Sequence, residues 1–164
     1  MIKGRKRDFD VSCPICKSAP QTAIHALVQC PVYARRIWEE YEDVYVKLYP
    51  HQRYIFEAAA LTFNAQTKSK KPQDKYKSKL SRTVSELLIH EIWVSTCQHD
   101  HEERQVNVER SLRSIRTKIT NIIKVHYRHY GQINDMNTFK NKFCINAALC
   151  SIDYHMKLNL FLPP

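Results

Sequence analysis

Between residues 31 and 50 the apolar side chains step by threes and fours. Ile37, Trp38, Tyr41, Val44, Tyr45 and Leu48 share one face of a helix. Pro31 suits a first helical turn, Cys30 stands at the junction before it, and Pro50 closes the run. A shorter apolar stretch from Tyr54 to Phe63, holding Ala58, Ala59 and Ala60, reads as a second helix. Leu80, Val84, Leu87, Leu88, Ile92 and Trp93 then predict a helix buried over a wide arc. Val108, Leu112, Ile115, Ile119, Ile122, Ile123, Tyr127 and Tyr130 make a cleaner stripe, with Gly131 as a C-terminal stop. A last helix starts near Asn137 or Thr138 and uses Phe139, Phe143, Ala147, Ile152 and Met156. No stretch alternates persuasively, so strands are not expected beyond a short ribbon around Cys13–Cys16. The expected fold class is mainly α, a helical domain fronted by a small Cys/Cys/His/Cys knot.

The polar run NAQTKSKKPQDKYKSK, residues 64–79, has no apolar periodicity, and Pro72 interrupts it. It reads as an exposed connector. Three parts follow: residues 1–49 with a basic start, the knot and its helix; residues 50–79 with a short helix and the lysine-rich linker; and residues 80–164 as the helical domain.

Composition narrows the function. An apolar content of 43% and a charged content of 26% over 164 residues fit a globular chain. No apolar run approaches the roughly 20 residues that span a bilayer, and no apolar stretch follows the basic residues of MIKGRKRDFD as in a secretory signal. A reducing compartment, nuclear or cytoplasmic, is therefore expected, and disulfides are not. With only two glycines, Gly4 and Gly131, neither a P-loop nor a dinucleotide-binding turn can be built. A net charge of +10 favours a polyanionic partner, most often nucleic acid. That charge gathers in Lys68, Lys70, Lys71, Lys75, Lys77, Lys79 and Arg82, opposed by Asp74 alone, and in Arg5, Lys6 and Arg7 just before the cysteines. Both clusters are candidate phosphate contacts; for the connector, a solvated loop or an import signal is the competing reading. Arg110, Arg113, Arg116, Lys124 and Arg128 offer a second basic surface opposite the long helix's apolar stripe, or else an ordinary solvated face.

The chemistry-bearing segment is Cys13-x2-Cys16-x8-His25-x4-Cys30. Two cysteines two residues apart can reach one ion from a tight turn, and a second pair returning from a short loop completes a tetrahedron. Three thiolates and an imidazole suit one structural zinc ion, with no position left for a reactive water. Pro14 stiffens the first turn, and Thr22 stands where it can cap a helical segment carrying His25. Residues 13–30 hold too few apolar side chains to fold alone. Metal binding in such peptides supplies about 10–16 kcal/mol, so loss of one ligand should unfold the knot.

This Cys-x2-Cys, the Thr-x2-His-x4-Cys-Pro run and the following Arg35, Arg36 and Trp38 resemble the zinc-binding region that follows the reverse transcriptase domain in non-LTR retrotransposon proteins. The likeness covers residues 13–38; IHEIWVSTCQHDHEER at 89–104 is only loosely similar to a later helix of such proteins. It implies a module that helps hold element RNA or target DNA beside a polymerase, with Cys13, Cys16, His25 and Cys30 as ligands. It carries over no catalytic residue. The nearest string to a Tyr-x-Asp-Asp turn is Tyr41-Glu42-Asp43-Val44, and only twelve residues precede Cys13. The polymerase is expected to have been truncated away in evolution or to be encoded elsewhere.

Weaker features complete the reading. Cys97, His99 and His101, with His90, are set aside as a second metal site, because alternate positions do not share a helix face. Cys144 and Cys150 are expected in the core, and Tyr127 and Tyr130 in packing. With no nucleophile–base pair or open metal site in view, the expectation is a non-catalytic nucleic-acid-binding module without a membrane partner. The alternative is a helical protein-interaction domain, using its C-terminal helices, with a purely structural zinc.

Overall fold

The computed structural model describes residues 12–50, 72–102 and 104–163. A π-helical turn, His25–Gln29, leads into α1 (Ala34–Glu40) and α2 (Glu42–Leu48). Two long helices follow, α3 (Pro72–Glu102) and α4 (Val108–Gln132), then the short α5 (Met136–Phe143) and a 3-10 turn, Ile145–Ala147. The chain ends in an antiparallel hairpin, β1 (Cys150–Ile152) and β2 (Leu158–Leu160), with Cys150 opposite Leu160. The protein is mainly α, with a Cys/His knot near its N-terminus.

Helices α3 and α4 pack against each other, α5 lies across both, α1 leans on the π turn, and the hairpin covers α5. One apolar cluster joins Cys13, Val28 and Cys30 of the knot to Trp38, Tyr41 and Tyr45, and to Leu88, Ile92, Ile115, Ile123 and Phe139 of the helical body. Each Ile, Leu or Phe withdrawn from water here contributes about 1.5–3 kcal/mol. All six residues of the 37–48 stripe are buried, although the chain bends at Tyr41 between α1 and α2. The α4 stripe is buried at Leu112, Ile115, Ile119 and Ile123, and Asn107 caps that helix by accepting from the Arg110 amide at 2.8 Å. Tyr130 is buried, and Tyr127 meets Phe139 edge-on at 5.5 Å, so both tyrosines pack as expected.

Several expectations are corrected. Residues 72–79 are not an exposed loop but the first turns of α3. Proline is at home in a first helical turn, Asp74 complements the positive end of the helix, and lysine and glutamine propagate a helix well. Tyr49 also holds this region, its hydroxyl 2.9 Å from that of Ser81. The buried arc of α3 is narrower than expected: Leu80, Val84, Leu88 and Ile92 are inside, whereas Trp93 is 56% exposed. Gly131 does not stop α4. The helix continues to Gln132, and Asn134 takes the left-handed conformation at φ 55° that ends it, with the Asp135 amide donating back to the Tyr130 carbonyl at 2.9 Å. The last helix stops at Phe143, and Ile152 belongs to a strand. The alternation of Leu158, Leu160 and Leu162, all packed on the core, carried that strand signal. The stretch from Tyr54 to Phe63 lies outside the described residues.

Tyrosine hydroxyls fasten the layers. Tyr33 meets Ser111 at 2.7 Å and Tyr45 meets Ser85 at 2.8 Å, both pairs buried. Tyr41 is equally buried, yet its hydroxyl has no partner among the described residues. The two kinds of tyrosine respond to loss of the hydroxyl with opposite sign. Tyr41→Phe should raise unfolding free energy by about 1 kcal/mol, because it removes an unpaid desolvation penalty. Tyr33→Phe should lower it by about 1 kcal/mol, because it removes a buried hydroxyl pair and leaves Ser111 only its longer contact with Ser95 at 3.4 Å. Paired urea melts of the two variants check the signs.

Candidate metal centre

The site starts from a tight loop. The Lys17 amide donates to the Cys13 carbonyl at 2.9 Å and the Cys13 amide to the Ala19 carbonyl at 2.8 Å, wrapping 14–19 around the first cysteine. Lys17 turns the corner at φ 56°, a left-handed conformation that costs a non-glycine residue about 1–2 kcal/mol. A single bridge between Ser12 and Pro20 closes the loop, in place of the short ribbon expected at Cys13–Cys16.

The second half is a helical turn of unusual pitch. Thr22 accepts from the His25 amide at 3.1 Å, as its capping role required. The Cys30 amide then donates to the His25 carbonyl at 2.8 Å, five residues back. In an α-helix, positions five apart are rotated by about 140° from each other, which would send His25 and Cys30 to different sides. The π-helical bond, from residue i to i+5, stacks them instead. Trp38 fixes this turn to α1, its indole N–H donating to the Leu27 carbonyl at 2.8 Å.

These two halves bring together the four expected residues. One ligand atom from each of Cys13, Cys16, His25 and Cys30 lies within 4.8 Å of the others, forming a group that can hold a metal ion. Cys16 Sγ lies 3.2 Å from His25 Nε2, which makes Nε2 the inward-facing nitrogen. Cys13, His25 and Cys30 are buried, and Cys16 is half-buried. The sulfurs differ in proton affinity. The Ser18 hydroxyl and amide donate to Cys16 and hold its pKa at about 6, whereas burial pushes Cys30 up to about 11.

Sequence reading missed the outer support. Two side chains from the end of α3 reach the knot: His99 Nε2 lies 3.4 Å from the Pro14 carbonyl, and Gln21 donates to Asp100 at 3.4 Å. His99 therefore touches the knot from outside rather than joining a second cluster. Cys97, His101 and His90 take no part in a metal-binding group among the described residues.

The basic candidates are dispersed. Lys75, Lys79 and Arg82 recur along one side of α3 at helical spacing, all exposed, with Arg82 paired to Glu86 at 2.8 Å. Lys77 is rotated away from them and half-buried. Lys68, Lys70, Lys71, Arg5, Lys6 and Arg7 lie outside the described residues. On α4, Arg110, Arg113, Lys124 and Arg128 form an exposed stripe opposite the buried face, over about 27 Å of helix. None of the four enters an ion pair among the described residues. No helix among the described residues is long and apolar enough to cross a membrane.

Comparison of the chain with protein-family models, with curated proteins and with solved structures found no match.

Ion uptake must displace the proton that Cys30 carries at neutral pH, so affinity falls as the medium is acidified. With cobalt(II) as an optical probe, the apparent association constant should rise about tenfold per pH unit between pH 6 and 9 from Cys30 alone. It should fall more steeply below about pH 6, where Cys16 also protonates. A pH-independent constant would contradict ligation by Cys30.

Proposed function

We propose that the chain is a zinc-stabilised nucleic-acid-binding module with no catalytic residues of its own. The zinc part rests on the donor set. Zinc–sulfur bonds of about 2.3 Å and zinc–nitrogen bonds of about 2.0–2.1 Å give a tetrahedron whose edges are about 3.5–3.8 Å. The 3.2 Å approach and the 4.8 Å limit bracket those edges. Three thiols with one imidazole match zinc better than magnesium or calcium, which take oxygen ligands. Cys13, Cys16, Cys30 and His25 Nε2 would hold the ion, and all four positions are filled by protein. Its contribution is to tie the loop at 13–19 to the π turn, not to activate water.

The observation that carries the nucleic-acid part is the exposed stripe Arg110, Arg113, Lys124 and Arg128, none of them in an ion pair among the described residues, on a helix anchored by its opposite face in a chain of net charge +10. Such a row suits a phosphate backbone read by charge and not by sequence. The likeness of residues 13–38 to the zinc-binding region after the reverse transcriptase domain of non-LTR retrotransposon proteins points the same way. In this reading the module holds RNA or single-stranded DNA beside a polymerase carried on another chain or segment. A protein-interaction role is favoured by one different feature, the exposure of Trp93 at 56% and of Tyr154 at 95%, both available to a partner surface.

Elemental analysis of the purified chain should find one equivalent of zinc, with clear loss in Cys16→Ser and His25→Ala. A full complement in both variants would refute the site.

Fluorescence anisotropy with a single-stranded RNA should show affinity that falls with salt. Replacing Arg113, Lys124 and Arg128 together by Gln should reduce the slope of log K against log salt by about 2, at about 0.7 per phosphate contact. No binding at low salt would leave only the protein-interaction reading.

A further inference from the structure

We propose that Cys144 and Cys150 are a modification site, a dithiol that closes to a reversible disulfide on meeting a low-molecular-weight disulfide such as oxidised glutathione. The pair is separate from the metal centre. Cys144 caps the C-terminal end of α5, Cys150 opens β1, and their sulfurs stand 3.7 Å apart. A disulfide bond is about 2.05 Å long, so the sulfurs need to approach by less than 2 Å, within reach of small side-chain rotations.

The segment between them holds the sulfurs in this relation. Asn146 and Ala147 both sit at φ 50°, left-handed backbone that asparagine tolerates and alanine does not adopt cheaply, and the Asn146 side chain donates through Nδ2 to the Lys47 carbonyl at 2.7 Å. Ala148, Leu149 and Cys150 are buried on the far side, so the loop is pinned to α2 at one point and to the core at another. The Cys150 thiol points back along α5, 3.4 Å from the Phe143 carbonyl.

Exposure assigns the order of events. Cys144 is half-buried and within reach of solvent, while Cys150 is fully enclosed. The hydrogen bond from Cys150, with Lys140 nearby, also lowers the Cys144 thiol below the ordinary thiol range. Cys144 thiolate attacks one sulfur of the oxidant, its S–S bond breaks, and one glutathione thiolate leaves. Cys150 then gives up its proton and attacks Cys144 Sγ, expelling the second glutathione as thiolate. Two protein thiols are oxidised and one small disulfide is reduced to two thiolates, which take up the two protons that Cys144 and Cys150 released. The new bond ties the end of α5 to the hairpin, and a dithiol reductant reverses it.

Trypsin releases residues 143–157 as one peptide, which holds both cysteines and none of the metal ligands. The full chain is treated with oxidised glutathione, alkylated and mapped by mass. The expected result is a 143–157 peptide lighter by two hydrogens, closed to alkylation and restored by dithiothreitol. Cys150→Ser should stop at a glutathione adduct on Cys144. Cys144→Ser should slow loss of the Cys150 thiol at least about tenfold. The proposal is overturned if the parent peptide keeps both thiols alkylatable under oxidant that modifies Cys97, or stops at the Cys144 adduct. It is also overturned if Cys150 reacts as fast without Cys144. The parent measurement decides the matter even where a variant does not fold.

Discussion

Three sulfurs gathered with a neutral imidazole within 4.8 Å repel one another as thiolates, and a cation among them would relieve that repulsion. Burial sharpens that demand. Cys30 is enclosed by apolar neighbours and resists ionisation, whereas Cys16, at the outer edge and served by Ser18, ionises readily. The site thus has a soft side and a stiff side, and the stiff side is continuous with the core. Cys13, Val28 and Cys30 belong to the same apolar cluster as Ile115 and Phe139, so the knot is built into the body and not appended to it. Trp38, Gln21 and His99 tie it to α1 and to the end of α3 from different directions.

The four ligands were legible because their chemistry and spacing lie in one short window. So were the two amphipathic stripes of residues 37–48 and 108–130, where burial follows a period of 3.6. What the sequence concealed has physical causes. The lysine-rich start of α3 has no apolar stripe to announce it, yet lysine and glutamine extend a helix once the turns after Leu80 are fixed in the core. Trp93 looked like a core residue by type, but its position turns it a quarter-circle away from Ile92, out of the seam. The closing hairpin has strands of only three residues, too short for a pattern to announce, and the alternating leucines from Leu158 were its mark. The outer contacts of the knot join Pro14 to His99 and Gln21 to Asp100, partners so far apart in the chain that no local pattern could pair them.

The body also separates its polar work by face. Serines 85 and 111 receive buried tyrosine hydroxyls on the inner sides of α3 and α4, so these layers are keyed by hydrogen bonds as well as by shape. Outward, Glu91 holds Lys118 at 2.7 Å, while Arg110, Arg113, Lys124 and Arg128 enter no such pair among the described residues. An unneutralised row along a helix repels itself, and the apolar face beneath it supplies the offsetting stability.

The wide turn at His25–Gln29 also determines what length changes the four-donor cluster tolerates. With four residues between them, His25 and Cys30 converge only because the ladder skips to the fifth amide. Deleting one intervening residue would let an ordinary α turn bring the same two donors onto one side. Adding one would leave neither ladder able to align them. The centre is thus tolerant of shortening and intolerant of lengthening, an asymmetry dictated by backbone pitch and not by the ion.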